Sequence, residues 1–244
     1  MRFYVSPEFI LKDKNAIEVR DKKELHHIRD VMRLTKGTGV TVFDGLGMEY
    51  SGKIKDIRRD LIVVEIEKAL RVKKDKSFHV TLYQAIAKKN NMDFIIEKAV
   101  ELGVDAINPI ITERTIPDIK KKADKKRDRW QRIAKAASKQ CGRTTLPDVG
   151  EAKDLQAALS ESKKSDLRIF AALDKDARPL RHALRPDAKT ISVFVGPEGD
   201  FSPEEISMAR ERGCNISSLG SLVLRVETAA IYVLSCINYE YNIA

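Results

Sequence analysis

The sequence predicts an α/β protein in two parts: a small β-rich unit over residues 1–72, then a mostly parallel sheet with helices on both faces over 73–244. Three observations predict it. Short β-branched runs separated by charges fill residues 40–66. Beyond Ser77, apolar strand-like runs alternate with segments of helical periodicity, the pattern of β-α-β units. Between them, Arg71 to Ser77 is polar, charged and without periodicity, which places the boundary near residue 73.

In the first part, Leu25, Ile28, Val31 and Met32 recur at helical spacing, with Gly37 available as a terminator, so a short amphipathic helix is expected over 22–34. Val40 to Phe43 then runs into the glycine turn Asp44-Gly45-Leu46-Gly47, and strands are expected over 50–57 and 61–66. In the second part, strands are expected over 78–86, 106–111, 167–173 and 190–195. Helices are expected over 92–102, 117–139, 152–160 and from Val226 to about Tyr239. Gly103 stops the first of these helices.

Composition excludes several classes. No apolar run approaches the roughly 18 residues a membrane helix needs, and Met1 to Pro7 has no signal-peptide core, so a cytoplasmic protein is expected. Cys141, Cys214 and Cys236 are far apart and form no C-x-x-C pair, so neither a disulfide framework nor a metal site is expected, and each is read as a small buried or half-buried residue. The formal charge of +9 is concentrated: residues 112–143 hold twelve Lys or Arg against four Asp or Glu. That density, around Trp130, suits a phosphate backbone; a solvated helix face is the other reading.

Two loops carry the chemistry. Ile191 to Val195 is a buried-strand run that ends in Gly196-Pro197-Glu198-Gly199-Asp200, and Ser202, Pro203 and Glu205 then supply a capping box for a helix. This sets a rigid glycine turn at the carboxyl end of a strand, where α/β sheets bind ligands. The second loop, Ser217 to Arg225, offers free backbone groups at Gly220 and apolar walls at Leu219, Leu222 and Leu224, a surface that suits an adenine. Taken singly, each loop also fits an ordinary strand-to-helix connection.

Several separated blocks occur in order: Glu97-Lys98-Ala99-Val100-Glu101-Leu102-Gly103-Val104, Gln140-Cys141-Gly142-Arg143 with Pro147, Gly196-Pro197-Glu198-Gly199, and Leu219-Gly220 with Leu224-Arg225 and Glu227-Thr228-Ala229. With them the whole chain resembles the RsmE group of SPOUT methyltransferases, the bacterial 16S rRNA (uracil-1498-N3) methyltransferases. The resemblance implies a trefoil-knotted C-terminal domain, a rare exception to the avoidance of knots, and a small PUA-like β-barrel that binds RNA. It implies S-adenosyl-L-methionine as cofactor, 16S rRNA of the small ribosomal subunit as partner, and a homodimer with the cofactor site beside the interface; neither membrane nor metal is involved. Leu173, Val195, Gly196, Gly199, Leu219, Gly220, Leu222 and Leu224 would line the cofactor. One departure stands out: the family usually has a second glycine where this chain has Asp200.

Methylating a uridine N3 requires removal of its proton, by a base or with help from a cation near the carbonyl oxygens. Arg143 and Arg225 are the candidate cations, and Glu198 and Glu227 the candidate proton acceptors. Glu227 would equally favour a helix N-terminus, and Arg225 would equally pair with it. Candidate RNA contacts are Arg2, Arg29, Arg33, Lys88, Arg114, Lys121, Lys125 and Arg129. His26 and His27 have no nucleophile pattern around them and are read as surface or capping residues. An RNA-binding assembly factor that retains the fold without catalysis is the rival from another class.

Overall fold

A computed structural model gives the fold, describing residues 1–72, 76–88, 90–115 and 123–241. Contacts divide the chain into two units, Met1–Asp75 with Ser138–Leu146, and Lys76–Ala137 with Pro147–Ala244. Residues 73–75, where the sequence sets the boundary, lie outside the described ones.

The first unit is a six-stranded sheet of β1 (Arg2–Tyr4), β2 (Ile10–Leu11), β3 (Ala16–Val19), β4 (Gly39–Phe43), β5 (Met48–Ile57) and β6 (Ile62–Arg71). Its order is β1-β4-β5-β6-β3-β2, and every pair is antiparallel except β1 with β4. Register shifts at Ser51/Gly52 and Ile54/Asp56 put bulges into the long β5–β6 pair, which curls the sheet. Gly52 sits where a Cβ would lie 2.1 Å from the Glu65 carbonyl oxygen, so no side chain fits there. The end strands β1 and β2 do not pair with each other, so the expected barrel is a curled sheet open along one seam. Phe3, Ile17, Val42, Ile54 and Ile62 fill its core.

The helix expected over 22–34 begins as α1 (Lys22–His26), capped by the Asp21 side chain. It continues over His27–Val31 as a wider π turn, in which Met32 N–H donates to the His27 carbonyl at 2.9 Å. A π turn rotates every later residue about the helix axis. Leu25 and Ile28 are buried as their spacing expects, whereas Val31, at the end of the π turn, is 61% exposed, contrary to the periodicity. Residues 138–146, reached late in the chain, complete this unit. Lys139 forms an ion pair with buried Glu24 at 2.7 Å, and Leu146 N–H donates to the Gly45 carbonyl.

The second unit contains an all-parallel sheet. Its central strands are β7 (His79–Ala85), β8 (Ala106–Ile111), β11 (Leu167–Ala171), β13 (Thr190–Val195) and β14 (Asn215–Ser218), in the order β8-β7-β13-β11-β14. Two-residue strands, β10 (Lys153–Asp154) and β12 (Arg178–Pro179), flank them, and β9 (Asp148–Val149) also pairs with β8. Alternation along the strands sorts the core into two layers. Val80, Leu82, Ile169, Val193 and Val195 pack with α2 (Asn91–Glu101), α3 (Ala123–Cys141) and α6 (Val226–Tyr241). Tyr83, Ala85, Phe170 and Phe194 pack with α4 (Leu155–Glu161) and α5 (Pro203–Glu211). Helices thus cover both faces, and buried Trp130 anchors the basic helix α3 to the first layer. The part of that helix expected before Ala123 lies outside the described residues.

Cys214 is buried, and burial pushes its thiol up to about 11. Cys236 is half-buried, but Cys141 is exposed, which corrects the expectation that all three are sheltered. Among the described residues no helix is long and apolar enough to cross a membrane, and no group of His, Cys, Asp and Glu is arranged to hold a metal.

Candidate cofactor site

Register places the site. Gln84 is level with Val195 across the β7–β13 pair, Val195 with Ala171 across β13–β11, and Ala171 with Ser217 across β11–β14. The segments that follow these four strands therefore leave the sheet side by side at its carboxyl edge. Three of them wall a cavity, partly open to solvent, whose empty space including that open part is about 570 Å³. Its lining runs through Ala171 to Leu173, Val195 to Glu198 with Asp200, and Leu219 to Leu224 apart from Ser221, with Val226 and Ala229 from the start of α6.

The first loop is held rigidly. Asp200 N–H donates to the Pro197 carbonyl at 2.9 Å to close the turn, and the predicted capping box forms: Ser202 N–H donates to Glu205 and Glu205 N–H to the Ser202 hydroxyl. Glu205 also accepts from Glu113 N–H at 2.9 Å, so one buried carboxylate fixes both the helix start and the segment after β8. Replacing Ser202 with Ala removes the cap and is expected to cost ~1 kcal/mol. The melting temperature should fall by about 2–4 °C in a thermal unfolding scan.

Gly196 is required by close approach: a Cβ there would lie 3.0 Å from Asp200 Oδ1 and 3.1 Å from the Phe201 ring. Gln84, fully buried, donates through Nε2 to the Ala85 carbonyl at 3.0 Å and more weakly to those of Val195 and Gly196. Its Oε1 is buried with no hydrogen-bond partner among the described residues. Arg114 donates to the Gly199 and Phe201 carbonyls, and Glu198 Oε1 accepts from Lys88 N–H at 2.8 Å.

Asp200 answers the question its position raised. Its φ is +60°, the left-handed region that favours glycine and that Asp tolerates better than most residues. Its Oδ2 accepts from Leu173 N–H at 2.7 Å. The side chain thus latches the segment after β11 to the loop after β13.

In the second loop Gly220 has φ +134°, and its N–H donates to the Ser218 hydroxyl, which donates to the Gly220 carbonyl. Leu219 packs on the core, while Leu222 and Val223 are 76% and 77% exposed and Leu173 is 58% exposed. Large apolar side chains left in solvent around a cavity mark a surface that a ligand covers. All eight residues named for the cofactor belong to this region; seven line the cavity, and Gly199 stands beside it against Arg114.

Two family models match the chain: an RNA methyltransferase domain over residues 74–238 and an RNA methyltransferase PUA domain over 19–67. Ribosomal RNA small subunit methyltransferase E of Aquifex aeolicus is 33% identical over 223 residues, covering 87% of this chain and 90% of that protein. The chain belongs to the ribosomal RNA small subunit methyltransferase E family. Its Bacillus subtilis member is 28% identical, covering 89% of this chain and 88% of that one. A solved member from Neisseria gonorrhoeae, bound to S-adenosyl methionine, superposes with a TM-score of 0.87 at 28% identity, covering 98% of this chain and 97% of that one. A methyltransferase from Legionella pneumophila, in complex with S-adenosylmethionine, gives 0.88 at 31% identity, with 98% and 96% covered.

Against this family background, the candidate catalytic residues fall into different settings. Glu227 is in the first turn of α6, and its Oε2 is buried with no hydrogen-bond partner among the described residues. Arg225 is exposed and forms no ion pair among the described residues, so it does not pair with Glu227. Glu198 is engaged with Lys88 N–H. Arg143 belongs to the other unit, where it donates to Thr145 and accepts from Arg2.

The candidate RNA contacts divide similarly. Arg2 is drawn inward: it pairs with Glu49 at 3.1 Å, donates to the carbonyls of Ser138 and Arg143, and lies 4.3 Å from the Phe43 ring centre. Arg29 pairs with Asp30 and donates to the Arg59 carbonyl. Arg29, then His26, hold the Asp30 carboxyl well below its ordinary range. His27 packs edge-on against Phe3. Arg129 pairs with Asp93, and Arg114 clamps the first loop. Arg33, at φ +50°, and Lys88 are exposed with no side-chain partner among the described residues. Lys121 and the Lys125 side chain lie outside the described ones.

Sequence reasoning missed Gln84 and the latch made by Asp200. Gln84 carried a readable signal, an amide side chain inside the largely apolar run Leu82 to Ala87. The Asp200–Leu173 bond joins residues 27 apart and had none.

Proposed function

We propose that this family member transfers the methyl group of S-adenosyl-L-methionine to N3 of a uridine in 16S rRNA, uridine 1498 by the family resemblance. The observation that carries the reading is the cavity between the two loops, with exposed Leu173, Leu222 and Val223 at its rim and a backbone brought close by Gly196. These residues suit the cofactor: apolar walls at Leu219, Leu222 and Leu224 for an adenine, and carboxylates at Glu198 and Asp200 for its positive charge. When bound, the cofactor supplies a sulfonium-activated methyl group.

The chain's own residues then prepare the acceptor. Glu227, whose Oε2 has no partner among the described residues, is the group we assign to take the N3 proton. Exposed Arg225, two residues before it, is assigned to the carbonyl oxygens of the base, where charge develops as the proton leaves. Glu198 we assign to holding the segment at Lys88 rather than to proton transfer. Residues 1–72 form the RNA-binding, PUA-like part in this reading and residues 73–244 the knotted methyltransferase part.

A homodimer in the cytoplasm completes the proposal. Helix α6 exposes Tyr232 and Tyr239 beside a groove that also includes Leu184 and Cys236. Leu219 and Gly220 line both this groove and the cofactor cavity, so a second copy seated there would border the cofactor. Of the proposed RNA contacts, Arg33 and Lys88 are available. Replacing both with Ala is expected to weaken RNA binding several-fold and to flatten its log–log salt dependence by about 0.7 per residue. Titrations at three salt concentrations read this, and an unchanged slope removes them from the interface. The reaction itself is tested by mass spectrometry of small-subunit rRNA from a strain lacking the gene. Loss of 3-methyluridine is expected; its full retention contradicts the proposal.

A further inference from the structure

Two carboxylates, Glu198 and Asp200, line the cofactor cavity, and among the described residues no Lys, Arg or His does. Arg114, the cation bonded to this loop, is spent on the Gly199 and Phe201 carbonyls and is not part of the lining. The remaining walls are aliphatic or glycine backbone, which screen charge poorly. Asp200 keeps its carboxylate at a backbone angle that favours glycine, and it does so with its Oδ2 bonded to Leu173 N–H and its Oδ1 beside Gly196. Both neighbours border the cavity. Left-handed geometry at a residue other than glycine persists where the surroundings hold it in place.

We propose that Asp200, with Glu198, biases the cavity toward the cationic methyl donor and against its neutral thioether product. The donor carries a sulfonium in addition to its zwitterionic amino-acid end; after transfer the sulfur is neutral, and apart from the lost methyl the two ligands share every group. A cavity lined by two negative charges and, among the described residues, by no cation therefore distinguishes them chiefly by the charge on sulfur. A unit charge a few ångströms away, at the effective dielectric of a partly exposed site, changes such a preference by about an order of magnitude or more. The product would leave readily, and the next donor would bind in its place. This inference rests on the S-adenosylmethionine reading proposed above.

The test is calorimetric titration of the purified protein with S-adenosylmethionine and, separately, S-adenosylhomocysteine. Asp200→Asn is the decisive variant because its amide oxygen still accepts from Leu173 N–H, so the latch survives while the charge is lost. Its donor-to-product affinity ratio is expected to fall about tenfold below that of the unsubstituted protein. Glu198→Gln, which keeps an acceptor for Lys88 N–H, should lower the ratio in the same direction and serves if the first variant does not fold. In the unsubstituted protein, raising the salt from about 0.1 M to about 1 M should also compress the ratio, because screening shortens to roughly 3 Å. A ratio unchanged in the folded variants, even with both affinities weakened together, overturns this inference alone and leaves Asp200 as a latch. Failure of the unsubstituted protein to bind either ligand overturns the cofactor reading, and this inference with it.

Discussion

Replacing Gly196 with alanine is expected to lower affinity for S-adenosylmethionine by roughly tenfold to a hundredfold while leaving the protein folded. The added methyl would meet Asp200 Oδ1 at 3.0 Å and the Phe201 ring at 3.1 and 3.2 Å. Neither neighbour yields easily. Asp200 is held by Leu173 N–H, and the Phe201 ring is buried against Phe170 with centres 4.1 Å apart. The loop backbone must therefore move instead, and overpacking of this kind costs about 1–3 kcal/mol. The displaced backbone is that of the cavity wall itself, so the cost falls on binding. Calorimetric titration reads the affinity, and a thermal scan separates a displaced loop from a lost fold. Affinity within twofold of the unsubstituted protein would show that this loop does not contact the ligand.

The largest effect is expected at Glu227. Substitution by Gln keeps the shape and the helix start but removes the proton acceptor, and loss of a general base typically costs about 10²- to 10⁴-fold in rate. We expect kcat to fall in that range while the dissociation constant for the cofactor changes little, because Glu227 does not line the cavity, although Val226 and Ala229 do. Single-turnover methylation of RNA, measured beside cofactor titration, checks both halves. A rate close to that of the unsubstituted enzyme would assign proton removal elsewhere and leave Glu227 as a residue that favours the helix N-terminus.

Local chemistry made much of this legible. The runs at 106–111 and 190–195 coincide with strands, and Ser202 with Glu205 forms its capping box as read, because neighbours in sequence set hydrogen-bonding and burial there. The two glycine loops come together because they follow strands of a parallel sheet in matched register; alternation of strand and helix implied the parallel sheet but not the register. What escaped depends on distance along the chain. Nothing near Arg143 indicates that residues 138–146 close onto the N-terminal sheet, since the bonds involved, Lys139 to Glu24 and Arg2 to the Arg143 carbonyl, span 115 and 141 residues. Val31 was misplaced because one π turn shifts the helical phase without any proline or glycine to announce it. Arg2 and Arg29 look like free cations in sequence, yet their guanidinium groups are largely consumed by Glu49, Asp30 and backbone carbonyls.

The most direct test of the account is methylation by the purified chain of small ribosomal subunits that lack the modification, with S-adenosylmethionine as donor, followed by mass-spectrometric mapping of the 16S rRNA. The account predicts one 3-methyluridine at position 1498. A methyl group on a ribose or on another base, or no methyl transfer by protein that binds the cofactor, would contradict it.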